Sequence, residues 1–379
     1  MRFSGFDDEW IEEKLGNLVQ IKSGECTKNL ITGIDNSIPY FKVEQLNNSL
    51  KYQIKTPYFI NDKSKIVNKG SIIFPKRGAA ILLNKIRILN QDSFMDTNLM
   101  TLTPNNKLYN EFLYYFIYKE NLSKIADTTS IPQLNNKHIK PYPIKLPSFE
   151  EQLKISKFIS SVDKKVSLLS QNLEIFNDFK KGLLQQIFTQ KLRFDFDEIR
   201  LKSISKINKG KQLNKEHMLE IGKFYVLNGG QEPSGYTDSW NTSENTITIS
   251  EGGNSCGFVN FNTEKFWSGG HCYYLNKLSE NIDVYYLYSY LKFIEPQIMR
   301  LRVGSGLPNI QKGDIENIKI KILPKKEQIK ISNLLLSTDN KISSIESQKD
   351  SFEIFKKGLL QQMFVVQLIL SLLQNKKHI

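Results

Sequence analysis

Along two stretches of the chain, apolar residues recur at alternating steps of four and three. In the first stretch Ile155, Ile159, Val162, Val166, Leu169, Leu173 and Phe176 keep the step, Lys180 breaks it, and Leu183 and Ile187 resume it. The second stretch runs Ile331, Leu335, Thr338, Ile342, Ile345, Lys349, Phe352, Lys356, Leu359 and Met363. This spacing predicts two long helices, each carrying the a/d stripe of a coiled coil. Pro147 and Pro324 stand just before them as start signals, and no proline interrupts either run. From Glu151 to Phe188 the first helix would be a rod of about 57 Å. Neither helix can bury its stripe alone. The simplest arrangement packs one against the other; the alternative packs each on its own domain. Lys349 and Lys356 at seam positions are expected to weaken the interface locally.

Between these stretches the pattern shortens. Ile38–Val43 and Ser71–Phe74 read as strands, and residues 110–118 as a short aromatic-rich helix. Phe224–Leu227 and Thr246–Ser250 alternate as strands with Gly-rich turns between them, and Asp283–Phe293 is the matching helix.

The two halves repeat. Phe179–Phe188 recurs as Phe355–Phe364 with nine of ten positions identical, and Glu151–Ser156 matches Glu327–Ser332 at the same offset of 176. Ile131-Pro132-Gln133-Leu134 and Leu307-Pro308-Asn309-Ile310 precede them in register, and Ile21-Lys22-Ser23-Gly24 is echoed by Ile207-Asn208-Lys209-Gly210. A period this long implies duplicated domains rather than a solenoid. The reading is a first variable domain over 1–148, a first helix over 149–189, a second domain over 190–325, a second helix over 326–366 and a divergent tail over 367–379. The tail either extends the seam through Val366, Leu370 and Leu373 or is an altered C-terminus.

Alternating variable and repeated segments, with Leu-Pro before a Glu-Gln-containing heptad helix, resemble the specificity subunits of Type I restriction–modification enzymes. The resemblance covers nearly the whole chain. It is strengthened by Asn228–Tyr236, by Ile249–Gly257 and by Phe266-Trp267-Ser268-Gly269-Gly270-His271, which are similar to target-recognition domains of that family. It implies an α+β fold with two mixed α/β target-recognition domains separated by two long antiparallel coiled-coil helices, related by an internal pseudo-two-fold repeat. It also implies a bipartite site in double-stranded DNA, one half read by each domain, and docking of two methyltransferase subunits and of restriction/translocase subunits. S-adenosylmethionine, ATP and Mg are then expected on those partners and no cofactor on this chain. A coiled-coil scaffold without sequence readout is the competing class.

The bulk numbers are compatible with this. The chain has 379 residues and a net charge of +13, which suits a polyanion partner, although a Lys-rich composition alone would give the same balance. Cys26, Cys256 and Cys272 form neither a disulfide framework nor a Cys-x-x-Cys metal motif. A reducing cytoplasm is expected, with no signal core and no apolar run long enough to span a membrane. None of the 12 prolines follows Asp or Asn, so no adenine-methylating Asn/Asp-Pro-Pro-aromatic motif exists, and neither Gly210-Lys211 nor Gly222-Lys223 continues as a P-loop. Cys256 and His271 lack the spacing of a nucleophile–base pair or a metal site.

DNA contact is assigned to glycine-rich polar and basic loops, since glycine permits close backbone approach and amides pair with adenine. In the first half the candidates are Tyr40, Lys42, Lys76, Arg77, Lys85 and Arg87. In the second half they are Asn228, Gly229, Gly230, Gln231, Tyr236, Glu251, Gly252, Gly253, Asn254, Ser255, His271, Arg300 and Arg302.

Overall fold

A computed structural model describes residues 2–27, 30–32, 37–62, 66–127, 131–189, 197–304, 306 and 308–364. The tail over 367–379, with the seam extension through Val366, Leu370 and Leu373, lies outside the described residues. The chain divides into two compact units, residues 1–168 with 349–379, and residues 169–348.

In the first unit, a five-stranded sheet runs in the order Val19–Ser23, Leu99–Pro104, Ile72–Pro75, Arg87–Leu89, Tyr52–Gln53. A smaller sheet, ordered Ile31–Thr32, Tyr58–Ile60, Ile38–Phe41, Phe94–Met95, adjoins it. Helix α1 (Asn110–Glu120) buries Phe112, Leu113, Tyr115, Phe116 and Ile117. The strands Ile11–Lys14 and Pro143–Leu146 pair antiparallel, and the chain then enters α2 (Phe149–Phe188).

The second unit repeats this order. Its main sheet runs Lys206–Lys209, Cys272–Asn276, Thr246–Ser250, Val259–Asn262, beside a three-stranded sheet of Gly235–Thr237, Phe224–Leu227 and Trp267–Ser268. Asp283 caps α3 (Val284–Phe293) by accepting from the N–H groups of Tyr285 and Tyr286. Asp197–Arg200 pairs antiparallel with Lys319–Ile322, ahead of α4 (Lys325–Phe364). Among the described residues each expected strand and helix is present, with starts and ends within about two residues of the expected ones; the expected end of the second long helix at 366 lies outside the described residues.

Both packing arrangements for the helices occur together. In the first unit Ile155, Ile159 and Val162 from the start of α2 share a core with Leu359, Leu360 and Met363 from the end of α4 and with the domain's own α1. In the second, Ile187 and Phe188 from the end of α2 lie with Ile331 and Leu335 from the start of α4. Start against end makes the pair antiparallel. Val166, Leu173, Phe176, Leu183 and Phe352 are half-buried, while Leu169, Ile342 and Ile345 are buried.

Of the two seam lysines expected to weaken the interface, Lys349 pairs along its own helix with Glu353, whereas Lys356, like Lys180 that breaks the first stripe, is met by an aspartate of the other helix. Lys356 reaches Asp163 of α2 at 2.5 Å, and Lys180 pairs with Asp339 of α4. Asp163 also accepts from the Tyr115 hydroxyl at 2.6 Å, and Asp339 from that of Tyr285. Burial, with the adjacent aspartate, raises both phenol pKa values, so each phenol stays protonated and donates. The cation that a single helix's periodicity marks as a defect is thus neutralised by the other helix and tied to the domain.

The repeated Glu-Gln dipeptide has a structural role in its second residue. Gln152, fully buried, accepts from Tyr109 N–H at 2.8 Å and donates to the carbonyls of Lys107 and Pro147 at 3.0 and 3.1 Å. Gln328, also fully buried, accepts from Asp283 N–H at 2.8 Å and donates to the carbonyls of Asn281 and Leu323 at 3.0 and 2.7 Å. Each amide thereby joins the entry to a domain helix to the entry of the long helix that follows. A buried amide with all these bonds made is stabilising; one with them unmade is costly.

Candidate nucleic-acid interface

In the second unit, five loops converge at one end of the main sheet. The strand Lys206–Lys209 ends in Gly210, whose N–H bonds Cys272 O, while Lys211 N–H bonds Ser268 O. A Cβ on Gly210 would lie 2.2 Å from Gly269 O, so only glycine lets these backbones meet. Asn228–Gln231 enters the same cluster. Gly229 has φ +86° and its missing Cβ would be 2.5 Å from His271 O. Glu251 N–H bonds His271 O at 3.0 Å, Ile310 N–H bonds Glu251 O, and Gly253 N–H bonds Pro308 O. Val303 and Asn309 exchange backbone bonds alongside.

The first unit builds the same platform from different side chains. Gly24 N–H bonds Leu99 O and Glu25 N–H bonds Met95 O. Lys76 N–H bonds Asn98 O, Leu134 N–H bonds Lys76 O, and Gly78 N–H bonds Pro132 O. Gly78 and Gly253 share the left-handed backbone, with φ +82° and +73°. Position by position, Lys76, Arg77 and Gly78 therefore correspond to Glu251, Gly252 and Gly253, and Asn98 corresponds to His271. The shared hydrogen bonds give Pro132–Leu134 and Pro308–Ile310 the same role in both units: each segment clamps its platform.

The candidate residues fall into three groups. Gln231, Asn254, His271, Arg300 and Arg302 are exposed, as is Arg77; Asn228, Gly230, Gly252, Gly253, Ser255, Lys42, Lys76 and Lys85 are half-buried. Lys85 bonds Asn47 Oδ1 at 2.5 Å and Lys42 stacks over the Tyr58 ring. Burial lowers the Lys76 ammonium pKa, assisted by Arg77 and opposed by Asp96. Tyr236 is exposed on the small sheet rather than in the loop cluster, its strand pairing with Phe224–Val226.

Tyr40 and Arg87 turn their polar groups into the protein. Tyr40 is 3% exposed and its hydroxyl donates to Glu25 O; the Arg87 guanidinium is spent on the carbonyls of Ser49, Ile86 and Leu46. Each carries suitable chemistry on a strand whose inward face only the fold reveals. Glu251 is buried too, at 4% exposure. Its Oε1 accepts from Lys209 Nζ at 2.5 Å and from the Tyr273 hydroxyl at 3.0 Å, and its Oε2 lies 3.5 Å from His271 Nδ1.

Sequence reasoning missed Lys209, Lys211, Gln212 and Asn309. The signal was the repeated Ile-x-x-Gly motif, read for the repeat and, at Gly210-Lys211, only for a P-loop. Cys256 donates to Glu251 O at 3.0 Å, and burial raises its thiol pKa while pushing that of Cys272 up to about 11. Neither is poised as a nucleophile. Among the described residues no group of three or more His, Cys, Asp or Glu could hold a metal ion, and no helix is long and apolar enough to cross a membrane.

The Type I restriction modification DNA specificity domain family matches residues 7–175 and 194–353. The specificity subunit of the type I restriction enzyme MjaVIII from Methanocaldococcus jannaschii is 22% identical over 397 residues, covering 93% of this chain and 91% of that one. The crystal structure of a Type-I restriction-modification system S subunit from M. genitalium superposes with a TM-score of 0.72 at 20% identity, covering 96% of this chain and 97% of that one. A chain from a structure describing assembly and conformational transition of the type I R-M system gives 0.55 at 15% identity, covering 95% and 98%. These likenesses establish the fold.

Proposed function

Because the chain belongs to the Type I restriction modification DNA specificity family, we propose that its two loop platforms each read one half of a bipartite, asymmetric DNA site. The observation that carries this reading is one shared backbone scaffold with different side chains on it. Lys76, Arg77 and Asn98 stand in the first unit where Glu251, Gly252 and His271 stand in the second. Equal scaffolds bring equal approach to the duplex; unequal side chains bring unequal base preferences. The chain is a non-catalytic DNA-recognition component. Methyl transfer, cleavage and translocation, with S-adenosylmethionine, ATP and Mg, reside on partner subunits in the cytoplasm.

Two methyltransferase subunits, and restriction subunits with them, dock on the long helices. Apolar side chains that neither unit buries support this. Leu168, Ile354 and Phe355 are exposed in the first unit, and Ile175, Phe179, Leu334 and Leu336 in the second. Such residues on a charged helix surface suit helices of a partner.

The test is a map of methylated adenines in cells carrying this chain and its partners, repeated after residues 197–323 are exchanged for those of another family member. One half-site should change and the other remain. If both change together, or no bipartite site appears, the reading fails. Binding should also weaken steeply with salt, by a logarithmic slope of about 0.9 for each phosphate neutralised. Titration at several salt concentrations checks it, and a flat response would remove the basic loops from the interface.

A further inference from the structure

We propose that Glu251 is a positioning residue of the second platform. On this view it holds the Lys209 ammonium with one carboxylate oxygen and the His271 imidazole with the other, so that both meet the DNA. The inference rests on the recognition role above and adds to it how one half-site is read.

The fold does not require a carboxylate here. The corresponding position of the first unit is Lys76, which makes the same two backbone bonds with the opposite charge. Nor does stability favour one. A carboxylate at 4% exposure carries a desolvation cost, and Oε2 is buried without a hydrogen bond. Oε1 is satisfied by Lys209 and by the buried Tyr273 hydroxyl. The group facing Oε2 is His271 Nδ1 at 3.5 Å, just beyond hydrogen-bond length. The partners themselves are on the surface, with side chains 51% exposed for Lys209 and 61% for His271. A buried anion thus aims two exposed cationic or polar groups from beneath the glycine-lined loops.

The chemistry follows from which ring nitrogen faces the carboxylate. With Nδ1 towards Glu251, His271 keeps Nε2 for a base edge or a phosphate. Lys209 supplies a point charge for a phosphate beside it. Gly229 and Gly269 carry no side chain into this space. Their missing Cβ atoms would strike His271 O at 2.5 Å and Asn228 Oδ1 at 2.4 Å.

The experiment uses the full chain assembled with its methyltransferase partners. The probes are a duplex bearing the site mapped with the parent complex and the same duplex with the second half-site scrambled. Glu251→Gln should weaken binding to the mapped site by about tenfold or more. In a Lys209→Met/His271→Gln background the same change should alter it by no more than about twofold, because the groups it acts through are gone. Equal losses in both backgrounds would make Glu251 merely structural and overturn the proposal. Should Glu251→Gln fail to fold, the Lys209→Met/His271→Gln chain decides alone, since both side chains are exposed. Retained preference for the mapped site in that chain overturns the proposal, and loss of the preference supports it. If the parent itself does not prefer its mapped site over the scrambled one, the recognition reading falls, and this proposal with it.

Discussion

Replacing Gln328 with leucine is expected to remove about 3–6 kcal/mol from the stability of the second unit. The side chain is fully buried, and leucine fills nearly the same volume. The loss would therefore come from polarity. One N–H, of Asp283, and two carbonyls, of Asn281 and Leu323, would be left buried without partners. Each such group costs about 1–3 kcal/mol, against a typical total of about 5–15 kcal/mol for a domain. The damage would spread through Asp283, which caps α3 and accepts from Ser332 on α4. Urea unfolding followed by fluorescence of Trp240 and Trp267 gives the size, and amide exchange in α3 gives the location. Gln152→Leu should do the same to α1. A cost below about 1 kcal/mol would mean that water or a local shift satisfies these groups.

Excising residues 166–172 together with 342–348 should shorten each long helix by about 10 Å and shift methylation to sites with a gap about three base pairs shorter. Seven residues preserve the seam. The choice of heptad matters. Removing 160–166 and 336–342 would delete Asp163 and Asp339, and with them the partners of Lys356, Lys180, Tyr115 and Tyr285. The central heptads contain none of these. Asp163 and Lys180 are separated along α2 by the same number of residues as Asp339 and Lys356 along α4, so loss of seven residues from each helix keeps the two spacings equal. Each domain keeps its own clasp at Gln152 or Gln328, so the half-site sequences should stay the same. If the shortened gap cannot place both platforms on the right groove face, methylation should disappear. A folded, active variant with the parental gap would show that the helices do not set the distance.

The parts of the molecule with a period could be read directly. The four-three step gave both helices and the ends of the stripes that enter the two cores, and the offset of 176 gave the duplication. What a single helix's pattern cannot show is the charge facing it. Lys180 and Lys356 therefore read as interruptions, although each meets an aspartate from the other helix. The Glu-Gln dipeptide was visible as a repeat, but its bonds run to Lys107, Tyr109, Asn281 and Asp283, more than forty residues away. In the platforms, residue type pointed to the glycine loops, which the fold gathers at one end of each main sheet. It could not tell a presented side chain from a supporting one. Tyr40, Arg87 and Glu251 have groups suited to DNA and turn them inward, whereas Lys209 and Asn309 stand in motifs that mark the repeat and say nothing by themselves of what their side chains face.

The division of the long helices between the units also bears on the order in which the chain matures. Residues 169–348 are contiguous, so the second unit has every segment of its core once that stretch has been synthesised. The first unit does not. Leu359, Leu360 and Met363 belong to its core, and Phe364 stacks against Phe112 and Phe116. The half that is made first on the ribosome must wait for residues made about 240 positions later before it can close. Contacts at such separation carry a large loop-closure cost and form late. Until then the apolar faces of α1 and of the start of α2 stay uncovered, and that interval is when a nascent chain is most exposed to aggregation and most dependent on chaperones.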